Sequence, residues 1–176
     1  MPQLFRKILC PVDFDDNSMA ALDLACKVAA QNDAALCLMH VVPFPLAASE
    51  IGPLPSESLP VWEHGAQVKL EQIGRERIPS SLRCEIASRS GPAVEAIIGA
   101  ETELGVDLVV MATHGRSRSA VGHFFLGSVA ERVVRESLCP VLVVPPREEA
   151  NRLTAKLTSK GSSSPYANRK HDARTS

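Results

Sequence analysis

Four short, almost uninterrupted apolar runs, Lys7 to Phe14, Ala34 to Val42, Val106 to Ala112 and Pro140 to Val144, alternate with stretches whose apolar residues recur at helical spacing. A strand that is apolar on successive residues has both faces covered, which is the signature of a parallel sheet between two layers of helix. Between the runs, Met19 to Gln31 carries Ala20, Leu22, Leu24, Ala25, Val28 and Ala29 as one helical surface, and Val61 to Ile78 repeats the period through Val68, Leu70 and Ile73. Ser90-Gly91-Pro92 opens a third helix that Gly105 stops, and a fourth runs from Leu126 or Gly127 to Leu138. Leu82 to Ser88 instead alternates apolar with polar, as an edge strand does. Strands alternating with helices predict a right-handed α/β domain.

At 176 residues the chain holds one domain with a full core, placed at 1–147. From residue 148 the sequence turns to Ser, Asn, Lys and Arg with little to bury, so 148–176 is expected to be a disordered basic tail. Five prolines, Pro43, Pro45, Pro53, Pro55 and Pro60, mark a long irregular connection from Phe44 to Pro60. A formal net charge of −1 with 22% charged residues gives no reason to expect DNA or a membrane surface as partner. No apolar run approaches the ~20 residues of a membrane span, and no secretory signal is readable, so a cytoplasmic location is expected. Cys10, Cys26, Cys37, Cys84 and Cys139 form no C-x-x-C pair, and are expected to be unpaired thiols acting as small hydrophobes.

Two segments resemble the universal stress protein family. One is Ile8-Leu9-Cys10-Pro11-Val12-Asp13-Phe14, followed by a helix and then Leu38-Met39-His40-Val41-Val42. The more specific one joins Met111-Ala112-Thr113-His114-Gly115-Arg116, Phe124-Phe125-Leu126-Gly127-Ser128-Val129-Ala130-Glu131-Arg132, and Cys139-Pro140-Val141-Leu142-Val143-Val144. The likeness spans Phe5 to Pro145. It implies a three-layer Rossmann-like fold of the adenine nucleotide alpha hydrolase type, with a five-stranded parallel sheet in the order 3-2-1-4-5. It also implies a ligand crevice at the switch point between strands 1 and 4.

Nucleotide-binding members of that family carry Gly-x-x-Gly, nine residues, then Gly-Ser or Gly-Thr around the phosphates and ribose of ATP. Transferred to this chain, the resemblance implies an ATP site made of Pro11, Val12, Asp13, Val41, Met111, Ala112, His114, Gly115, Arg116, Gly127, Ser128 and Val129. Gly127-Ser128 at a helix start suits phosphate, because glycine admits close approach and the first turn presents N–H groups. Asp13 is placed to accept from ribose hydroxyls or to help hold Mg²⁺ on the phosphates, and Val41 to meet adenine through its backbone. Two departures stand out: Ala112 replaces the first glycine, and eleven residues rather than nine separate Gly115 from Gly127. Alanine serves there if its backbone is extended and fails if its φ is positive.

Other polar residues have plainer explanations. His114 and His40 are expected to be structural hydrogen-bonders, and Asp15 and Asp16 to be caps of the first helix. No nucleophile with a base partner and no Walker-type loop is readable, so no catalytic residue is assigned and any ATP hydrolysis would be slow. The apolar last strand, Pro140 to Val144, would form an exposed sheet edge, and a homodimer pairing there would cover it. Three functions remain open at this point: an ATP-binding stress-response regulator, a nucleotide-free homodimeric interaction module of the same fold, and a slow ATPase.

Overall fold

In the computed structural model, which describes residues 3–43, 58–113 and 127–146, nine elements follow one another: β1 (Lys7–Pro11), α1 (Asp16–Asn32), β2 (Ala35–Val42), α2 (Ser58–Arg77), β3 (Cys84–Ser90), α3 (Ala93–Leu104), β4 (Leu108–Ala112), α4 (Ser128–Glu136) and β5 (Val141–Val144). The strands make one five-stranded sheet, parallel throughout, in the order β3-β2-β1-β4-β5. β1 and β4 therefore sit side by side at the point where the winding direction reverses.

Alternation along each central strand explains why the sequence reads as continuous apolar runs. Ile8, Cys10, Leu36, Leu38, Leu108 and Val110 pack with Met19, Leu22 and Ala25 of α1 and Leu70 and Ile73 of α2. Their neighbours Leu9, Cys37, Met39, Val109 and Met111 point the other way, onto Val94 and Ile97 of α3 and Ala130 and Val133 of α4. Full burial of each Leu, Ile or Val contributes about 2 kcal/mol, and these two cores hold the sheet between its helical layers.

Helix ends follow local chemistry. Asp15 caps α1, its side chain accepting from Ser18 N–H, and Asp33 closes that helix in the left-handed region at φ 51°. Gly105, at φ 63°, closes α3 and needs its missing Cβ to do so. α2 begins at Ser58, three residues before the expected Val61, because Pro60 fits a first helical turn, where its missing N–H has no intrahelical partner to lose. β3 lies two residues later at each end than the expected Leu82 to Ser88, since Pro79 and Leu82 close a turn first, Leu82 N–H donating to Pro79 C=O at 2.9 Å.

All five cysteines are free, and burial raises the thiol pKa of Cys26 and of Cys37 to about 11, so both stay protonated small hydrophobes. No helix among the described residues is long and apolar enough to cross a membrane. The Pro-rich connection, the loop after Thr113 and the basic tail expected from the sequence lie outside the described residues.

Candidate functional site at the carboxyl ends of the sheet

The β1–β2 register ends at Pro11 opposite Met39, and Val12 N–H adds one last bond to Met39 C=O at 2.8 Å. The chain then leaves the sheet through Asp13 and Phe14. Asp13 N–H donates to Ser18 Oγ at 3.3 Å, Asp13 Oδ1 accepts from Asp15 N–H at 3.2 Å, and buried Ser18 also donates its hydroxyl to Asp15 C=O at 3.0 Å. This knot fixes Asp13 at the head of α1. Burial raises the Asp15 carboxyl pKa, the Asp13 carboxylate beside it raises it further, and the Ser18 N–H bond opposes both. Phe14 adopts φ 69°, a left-handed backbone that costs an aromatic residue roughly 1–2 kcal/mol.

On the other side of the switch point, Ala112 ends β4 opposite Val144 and is not among the residues with positive φ. Its backbone is ordinary strand, so the position does not demand glycine. Thr113 N–H donates to Val144 C=O at 3.0 Å, and Thr113 C=O accepts from Gly127 N–H at 2.8 Å. That second bond sets the start of α4 directly against the end of β4. Within α4 the first of these bonds runs from Glu131 N–H to Gly127 C=O at 2.9 Å, so the N–H groups of Ser128, Val129 and Ala130 precede any intrahelical acceptor. Among the described residues no side chain caps this end. Ser128 and Val129 are exposed there, with the positive end of the helix dipole between them.

Val41 and Met111 join the apolar cluster under α3 and α4, so both reach the same face of the sheet near its carboxyl edge. The fold thus brings Pro11, Val12 and Asp13 from β1, Val41 from β2, Met111 and Ala112 from β4, and Gly127, Ser128 and Val129 from α4 to one end of the domain. His114, Gly115 and Arg116 lie outside the described residues. Among the described residues no group of three or more His, Cys, Asp or Glu side chains could hold a metal ion by itself. A separate open cleft of about 590 Å³ lies between α2 and β3, lined by Pro60, Glu63, His64, Gln67, Ser88, Arg89 and Ser90, on the far side of β2 from the switch point.

His40, expected to be a structural hydrogen-bonder, makes such a bond: Nδ1–H donates to Val12 C=O at 2.6 Å. It adds what spacing could not show, a stack of the imidazole on Phe14 with ring centroids 4.1 Å apart. Residues 14 and 40 are far apart in sequence, and only strand pairing brings them together.

The family model described as the Universal stress protein family matches residues 4–145. A universal stress protein of Methanocaldococcus jannaschii, MJ0531, is 32% identical over 145 residues, covering 80% of this chain and 82% of that protein. Among solved structures, protein MJ0577 superposes with a TM-score of 0.71 at 26% identity, covering 82% of this chain and 98% of its own. A universal stress protein solved in complex with cAMP shares the fold at a TM-score of 0.52 and 24% identity, with 80% and 96% covered.

Proposed function

This chain belongs to the universal stress protein family, and we propose from that premise that it is a stress-response regulator that binds adenine nucleotide at the carboxyl ends of β1 and β4. ATP is the favoured ligand, with Mg²⁺ carried on its phosphates, and binding rather than fast turnover is the output. The observation that supports this most is the 2.8 Å bond from Gly127 N–H to Thr113 C=O, which holds the N-terminal turn of α4 at the end of β4. Phosphate at that turn would meet the N–H groups of Ser128, Val129 and Ala130 and the Ser128 hydroxyl. Asp13, on the neighbouring strand end, would take the ribose or the metal, and Val41 would meet the base through its backbone. An adenine nucleotide, cAMP, is the ligand of one solved protein of this fold.

Calorimetric titration with ATP and Mg²⁺ tests the proposal when repeated on Gly127→Val. Gly127 has φ −58° and ψ 149°, which valine adopts without strain, so the substitution crowds the phosphate path and leaves the backbone intact. Saturable binding that is lost in the variant is the expected result. Absence of binding up to millimolar ATP would favour the nucleotide-free interaction module.

The same protein is proposed to dimerise through β5. β5 is an edge strand of the sequence VLVV, and its Leu142 is 38% exposed. Leu142→Lys, which spares the core contacts of Val141, should give a folded monomer by sedimentation. An unchanged oligomer would contradict the β5 interface.

A further inference from the structure

Asp13 is the one carboxylate of the proposed site at the end of β1, and its place depends on how the chain is held as it leaves the sheet. The β1–β2 register stops at Pro11 and Met39, yet the next peptide is still fixed on both sides by consecutive residues of β2. Val12 N–H donates to Met39 C=O at 2.8 Å, and Val12 C=O accepts from His40 Nδ1–H at 2.6 Å. One of these bonds is main chain; the other uses a side chain to continue the pairing where the ladder ends. One residue beyond Asp13, Phe14 turns left-handed at φ 69°, and its ring lies over the same imidazole with centroids 4.1 Å apart and planes 30° from parallel. Lys69 of α2 places its ammonium 4.3 Å from the centroid of that Phe14 ring, a cation–π contact that adds a hold from the helical layer.

His40 therefore grips both neighbours of Asp13, Val12 through a hydrogen bond and Phe14 through a stack. A left-handed aromatic residue persists only where its surroundings over-determine it, and these contacts are what the fold supplies. We propose that His40 is a positioning residue: it clamps the Val12–Asp13–Phe14 turn so that the Asp13 carboxylate is preorganised for the ligand bound across the switch point. It acts through the backbone and does not itself touch the nucleotide. The consequence for ligand rests on the nucleotide binding proposed above, whereas the clamp itself does not.

Three proteins separate the two: the unsubstituted chain, His40→Ala, and His40→Asn, whose amide N–H can replace Nδ1–H toward Val12 C=O but offers no ring. Hydrogen exchange at the Asp13 and Asp15 amides, read against the Leu9 and Cys10 amides of β1, reports the turn without any ligand. His40→Ala should leave the two turn amides nearly unprotected, at least about tenfold faster relative to the strand amides, and His40→Asn should recover much of the protection. If the turn then holds its present form a tenth of the time, apparent ATP affinity by calorimetry falls about tenfold, again with partial rescue in His40→Asn.

Unchanged turn exchange in His40→Ala overturns the clamp. Faster exchange with unchanged ATP affinity overturns its role in positioning Asp13. If the unsubstituted protein binds no ATP, the nucleotide proposal fails by itself, and the clamp stands or falls on exchange. Should His40→Ala not fold, Phe14→Leu, which keeps the Val12 bond and removes the stack, carries the same comparison: faster exchange at Asp15 supports the clamp and unchanged exchange overturns it.

Discussion

The two ends of the sheet use carboxylates in opposite ways. At the amino end, Asp107 accepts from Arg6 N–H at 2.8 Å and Lys7 N–H at 3.0 Å, and its own N–H donates to Lys7 C=O at 3.0 Å, tying the start of β4 to the start of β1. Glu101, only 3% exposed on α3, accepts from Ser137 Oγ–H at 2.8 Å and from Leu138 N–H at 2.7 Å, holding the exit of α4 on its way to β5. Both are pins, bonded to main chain far away in sequence. At the carboxyl end, burial and then the neighbouring Asp13 carboxylate raise the pKa of Asp15, Phe14 stays left-handed, and the α4 turn presents N–H groups ahead of its intrahelical bonds. The amino end supplies rigidity, and the carboxyl end gathers backbone strain, negative charge and the first N–H groups of α4.

Substitutions at either end should separate stability from binding. The largest loss of stability is expected for Glu101→Ala, which removes the acceptor of the Leu138 N–H and leaves the Ser137 hydroxyl only its bond to Cys139 C=O, and should cost about 3 kcal/mol, read as a lower urea midpoint with ATP affinity unchanged. Asp107→Ala removes an acceptor from two backbone amides at a more accessible position and should cost about 2 kcal/mol, again without a change in affinity. A fall in affinity equal to the fall in stability would erase the contrast between the ends.

Asp15 gives the smallest effect. Asp15→Ala should cost about 1 kcal/mol through loss of the α1 cap, and Asp15→Asn, which can still accept from Ser18 N–H, much less. The pH dependence is distinctive because the folded pKa of Asp15 lies above its ordinary value. Between the two values the folded state binds more protons than the unfolded chain, so this residue makes stability fall as pH rises through that interval, against the usual carboxylate trend. Asp15→Asn should remove that component from urea midpoints measured across the acidic range; an identical pH profile would show that the shift carries no stability.

The layered fold was legible because β1, β2 and β4 are buried on both faces, which writes continuous apolar runs into the sequence. The strand order and the switch point came from family resemblance, and the structure bears them out. Whether Ala112 can stand at its position depends on its backbone, which is ordinary strand without positive φ and which composition does not reveal. What stayed hidden was every device made across distance: Asp107 on β1, Glu101 on Leu138, and His40 on Val12 and Phe14. Each joins residues with no fixed spacing, and each uses a polar or aromatic type that serves equally well on a surface.

The most direct measurement is a nitrogen-15 amide titration of the unsubstituted protein with ATP and Mg²⁺. Nucleotide bound at the switch point predicts saturable shifts at Asp13, Val41, Ala112, Ser128 and Val129, with Asp107 and Leu138 at the far end unmoved. Shifts confined to Ser88, Arg89 and Ser90 and the facing turn of α2, or no shifts at all, would contradict it.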